Sequence, residues 1–187
     1  MVLVYIHGAN ATPASFNFIR QHIGDGLLLS YDSNMGFKNN LARLTAELEN
    51  KHNIVFIAHS LGGIYALHLA NAMPDRVTRA ITISTPYGGH CLADYAKLFL
   101  PFHTLLHDIG PNSWPVASAQ NIEIKWPWTN AVSIKGNAPW MSEENDGVVT
   151  IASQRHRTDI ELIDVDSNHY EIVLNQRVVD IIEDRLL

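Results

Sequence analysis

Apolar residues in this chain come in short continuous runs broken by polar turns, not in strict alternation. Residues 2–6 are apolar throughout and stop at His7-Gly8, so they read as a strand covered on both faces. The same argument predicts strands over 27–31, 54–58, 77–84, 131–134 and 160–165. Between them lie helical stretches. Residues 16–23 form one, closed by Gly24 and Gly26, and Asn39-Asn40 can cap another whose apolar positions are Leu41, Leu44 and Leu48. A third spans 61–73 and stops at Pro74; its small residues Gly62, Gly63, Ala66 and Ala70 allow close approach to a sheet. An amphipathic helix over 174–187 follows the last strand.

Strands alternating with helices predict an α/β fold: three layers, with a mostly parallel sheet of about six strands and helices on both faces. The region 88–128 breaks the rhythm with Trp114, Trp126, Trp128 and four prolines, and is expected to be a lid-like insertion over one end of a single domain.

At 187 residues the chain can bury a real core within one domain. A net charge of −6, with no basic cluster, argues against a nucleic-acid partner. The single Cys91 excludes a disulfide framework and a four-cysteine zinc site. The first residues carry no basic leader, and no apolar run is long enough for a bilayer, so the expectation is a soluble, cytoplasmic protein. Oligomeric state is left open.

The chemistry concentrates at Ser60. In Val55-Phe56-Ile57-Ala58-His59-Ser60-Leu61-Gly62-Gly63 an apolar strand ends abruptly and a small-residue helix begins, the shape of a turn that lifts a serine out of its sheet. A serine hydroxyl needs a base, and the base needs an acid to orient it. His169, in the polar loop after the last strand, is the candidate base, with His156 as a rival. Asp146, in the turn-forming Asn145-Asp146-Gly147, is the candidate acid, with Asp164 and Asp166 in reserve. The backbone N–H groups of Leu61, at the start of a helix, and Ala9, after the first strand, are candidate oxyanion donors.

At His7-Gly8, Ala58-His59-Ser60-Leu61-Gly62-Gly63, Thr85-Pro86-Tyr87-Gly88-Gly89 and Asp146-Gly147-Val148-Val149 the sequence resembles the α/β-hydrolase fold lipases and esterases, above all the small bacterial lipases. Ala58 in the first elbow position and Ala14-Ser15-Phe16-Asn17-Phe18 add to that likeness. The resemblance implies Ser60 as nucleophile, Asp146 as acid, His169 as base, and Ala9 and Leu61 as oxyanion donors. The insertion departs from it, because the smallest such lipases lack a lid and this chain has an amphipathic stretch over 95–102.

Asn10, His59, Tyr87, Trp114, Trp126 and Val148 are candidate lining of a substrate pocket; the tryptophans could equally pack the insertion. Asp32 and Asn34 could border the pocket or simply form a turn. His103 and His107 have metal-ligand spacing, with His90, Asp94 and Asp108 nearby, but a third ligand is not evident and no metal is assigned. The expected function is cofactor-independent hydrolysis of a small-molecule carboxylic ester with an apolar acyl group, with transient contact to a lipid interface allowed. Thioester hydrolysis, acyl transfer, or a non-catalytic protein binding a lipid or another protein are the alternatives.

Overall fold

A computed structural model of the chain describes residues 1–90, 93 and 104–187. Six strands form a single sheet: β1 (Val2–Ile6), β2 (Leu27–Leu29), β3 (Ile54–His59), β4 (Val77–Ile83), β5 (Trp128–Ser133) and β6 (Glu161–Val165). Their order is β2-β1-β3-β4-β5-β6, and every neighbouring pair runs parallel. The expected mostly parallel sheet is therefore wholly parallel.

The period-2 geometry of a strand sends alternate residues to opposite faces. On β1, Val4 and Ile6 join a core with Phe56 and Ala58 of β3, packed under helices α2 (Phe37–Glu47) and α3 (Leu61–Ala72). Leu3 and Tyr5 join Val55, Ile57, Ile81 and Ile83 on the other face, under helices α1 (Asn17–Ile23) and α7 (Gln176–Leu186). Both faces are thus covered, which is why the strands read as continuous apolar runs.

Three boundaries differ from expectation for identifiable reasons. Helix α2 starts at Phe37 after Gly36, whose positive φ of 80° suits glycine, so Asn39-Asn40 is not its cap. Asn40 instead donates to the carbonyls of Asp32 and Gly36 from inside the helix. Strand β5 begins at Trp128, which the apolar pattern assigned to the insertion; its indole N–H donates to the Tyr87 hydroxyl at 2.7 Å. Helix α7 begins after Asn175, whose side chain accepts from the Arg177 N–H, and Leu174 belongs to the short turn before it.

The described part of the expected insertion contains helices α4 (Thr104–Ile109) and α5 (Trp114–Ala119). Its amphipathic stretch over 95–102, with Cys91, Asp94 and His103, lies outside the described residues. Helix α6 (Ile151–Gln154) is a single turn capped by Thr150. Among the described residues no helix is long and apolar enough to cross a membrane.

Candidate active site

Ser60, Asp146 and His169 follow β3, β5 and β6, so a parallel sheet brings all three to its carboxyl edge. Ser60 has φ 53° and ψ −126°, a conformation that costs a non-glycine residue about 1–3 kcal/mol. The sheet holds it there: its N–H bonds the Ile83 carbonyl at 2.8 Å, and its own carbonyl accepts from Gly63 N–H and the Thr85 hydroxyl. Close packing explains the two glycines that follow. A Cβ on Gly62 would lie 2.3 Å from the Ile6 carbonyl oxygen, and one on Gly63 would overlap the Thr85 hydroxyl at 1.9 Å.

His169 Nε2 lies 3.0 Å from Ser60 Oγ, and His169 Nδ1 lies 2.6 Å from Asp146 Oδ2. The His169 N–H also bonds the Asp146 carbonyl at 3.0 Å, tying the two loops together through the backbone. All three side chains are buried. Burial by itself would raise the Asp146 pKa, but bonds from His169, Ser133 and the Val149 N–H outweigh it and hold the carboxyl below its ordinary value. The reserves are engaged elsewhere. Asp164 pairs with Arg155 and Asp166 with Lys135, while His156 packs beside Gly88.

The loop after β1 contributes Gly8, Ala9 and Ala11 to the cavity that His169 also lines. His7 donates from Nδ1 to the Gly8 carbonyl at 2.8 Å and accepts at Nε2 from the Tyr31 N–H at 3.2 Å, which defines a neutral ring. Burial lowers its pKa accordingly. The Asn10 N–H bonds the Ser33 hydroxyl at 3.0 Å, anchoring the far side of the loop. Between these ties lies Ala9. Among the described residues neither the Ala9 nor the Leu61 N–H finds an acceptor in the protein, and Leu61 is the first residue of α3. A free amide at a helix start, as at Leu61, suits an anionic oxygen, and the Ala9 amide is a second donor without an acceptor among the described residues.

A cavity of about 150 Å³ opens on Ser60 and His169. Of the expected pocket residues it includes His59 and Val148, together with Ala9. Asn10 is exposed beyond it. Tyr87 is buried below, its hydroxyl taken up by Thr82 and Trp128. Trp114 stacks on His68 with ring centres 5.2 Å apart, on the α2–α3 side. Trp126 donates to the Pro74 carbonyl, where the chain enters β4 at the opposite end of the sheet. These four aromatic and polar side chains are not among the described residues of the cavity. Tyr170 and Val173 are, and their position right after His169 was the available signal. Asp32 is a turn residue, accepting from the Asn34 N–H.

No protein-family model matches the sequence. No curated protein matches it either. Solved structures do. A lipase from Bacillus licheniformis, BlEst2 in its mature form, aligns over 99% of this chain and 91% of its own, at 17% identity and a TM-score of 0.69. A lipase-esterase related protein from Clostridium acetobutylicum covers 98% and 93%, at 12% identity and a TM-score of 0.66. A methylketone synthase from tomato, solved with 2-tridecanone, covers 98% and 96%, at 10% identity and a TM-score of 0.64. At such identities the likeness is one of architecture. From the parallel six-stranded sheet, the strained serine at its carboxyl edge and these alignments, the chain has the α/β-hydrolase fold of esterases and lipases.

Proposed function

We propose that this protein is a serine hydrolase of carboxylic esters. His169 Nε2 takes the Ser60 proton as Oγ attacks the ester carbonyl, and Asp146 stabilises the imidazolium that forms. The carbonyl oxygen becomes an oxyanion facing the Ala9 and Leu61 N–H groups. Collapse expels the alcohol, which receives the proton from His169, and leaves an acyl group on Ser60. Water activated by His169 then releases the acid. The observation that carries this reading is the continuous pair of contacts, 3.0 Å from Ser60 to His169 and 2.6 Å from His169 to Asp146.

Fold alone does not choose the reaction, as the tomato synthase illustrates, and a thioester or a second acyl acceptor would use the same groups. Cavity size supports a compact substrate. About 150 Å³ is the size of an apolar cavity that holds one benzene, so an acyl group of roughly two to four carbons fits.

Labelling with a fluorophosphonate, followed by peptide mass spectrometry, tests the reading. The label should sit on Ser60, vanish in Ser60→Ala and form far more slowly in His169→Ala. A folded protein that takes up no label would contradict it.

A further inference from the structure

We infer that Ser84 and Ser133 form a buried hydroxyl chain which, with Gln154, positions Asp146 against His169. The inference rests on reading Asp146 and His169 as acid and base. Asp146 Oδ1 accepts from the Val148 and Val149 N–H groups, at 3.0 and 2.8 Å. Oδ2 accepts from His169 and also from the Ser133 hydroxyl at 2.5 Å and Gln154 Nε2 at 3.0 Å. The donors and acceptors in this cluster follow from the chemistry of each group. Gln154 Oε1 accepts the Ser133 N–H at 3.0 Å, so its amino group must face Asp146. Ser133 has one hydroxyl proton and two acceptors for it, Asp146 Oδ2 at 2.5 Å and Gln154 Oε1 at 3.2 Å, of which the carboxylate is the nearer and the stronger. Its oxygen is then the acceptor for the Ser84 hydroxyl, 2.7 Å away.

Ser84 adopts φ 49°, where a glycine would be unstrained, and its N–H is pinned to the Ala131 carbonyl at 2.8 Å. A serine held there delivers a hydroxyl that glycine lacks. Ser84, Ser133 and Gln154 are all fully buried, so the chain is closed to solvent. Each donor draws charge away from the side of Oδ2 that faces His169. Removing one leaves more negative charge there and one fewer contact holding the carboxylate against His169. Among the described residues the other titratable groups facing Asp146 are His59 and His90, whose pKa values burial lowers.

The test is a double-mutant cycle on ester hydrolysis, with a spectroscopic reading beside it. Ser133→Ala should lower kcat about 10-fold, leave KM within about twofold, and move the acid limb of kcat/KM upward by about half a unit. Ser84→Ala and Ser84→Gly should each lower kcat about threefold with a smaller shift in the same direction. Equal effects from the two would show that the hydroxyl, not the backbone, is what matters. In a Ser133→Ala background the Ser84 substitutions should add nothing. The proton resonance of His169 Nδ1–H should move in the same variants, also when Ser60→Ala abolishes turnover. Unchanged limbs and resonance, or Ser84 and Ser133 effects that multiply independently, would overturn the chain. If the wild type cleaves no ester and the resonance still moves in the Ser133 and Ser84 variants, the chain stands and the ester-hydrolase reading is contradicted instead.

Discussion

His59 and His169 are 110 residues apart, yet the Nε2 of His59 donates to the His169 backbone carbonyl at 3.0 Å. That bond fixes the proton of His59 on Nε2 and leaves Nδ1 bare and buried, without a partner among the described residues. Burial and the neighbouring His169 push the His59 pKa down to about 3. It is a tie for the loop that carries His169, not a second base.

The first prediction follows from that tie. A histidine whose folded pKa lies below its unfolded value binds a proton more readily when unfolded, so folding weakens as pH drops below about 6.5. From His59 alone the loss between pH 7 and pH 5 is about 2 kcal/mol. His7, His68 and His90, whose pKa values are also lowered, act in the same direction. Urea unfolding at the two pH values should show the difference, and His59→Asn should reduce it. An equal midpoint at both would contradict the assignment.

Gly8 provides a second prediction. A Cβ there would lie 3.0 Å from His59 Nδ1 and 3.1 Å from the Ser60 Cβ, tighter than ordinary contact. Gly8→Ala should therefore shift the Ala9 amide and lower kcat about 10- to 100-fold, while KM and melting temperature change little. Wild-type turnover in this variant would argue against the Ala9 N–H as an oxyanion donor.

Cavity volume sets a third. Activity on p-nitrophenyl esters should peak between acetate and butyrate and fall steeply by octanoate. Val173, buried in the cavity wall, limits its size, so Val173→Ala should move the optimum to a longer chain. A palmitate optimum in the wild type would contradict the compact-acyl reading.

Which parts of this were legible in the sequence depends on whether the signal is local. The sheet was, because strands covered on both faces must be apolar at every position, as Val2–Ile6 is. Ser60, Asp146 and His169 could be expected near one another because parallel topology brings the ends of β3, β5 and β6 to one edge, and the three side chains are in hydrogen-bond contact there. Trp126 and Trp114 were placed poorly, since an aromatic residue fills a core or a surface groove as readily as a pocket. Asn40 suggested a cap because its type favours one, but Gly36 already supplied the turn. Ser84, Ser133 and Gln154 left no trace at all: a buried polar cluster assembled from three distant segments has no period and no spacing.

The decisive measurement is hydrolysis of p-nitrophenyl butyrate by the wild type, Ser60→Ala and His169→Ala. Turnover is expected in the wild type, with kcat lower by about 10⁴- to 10⁶-fold in each variant and the fold intact by circular dichroism. Hydrolysis that persists undiminished in Ser60→Ala would contradict it.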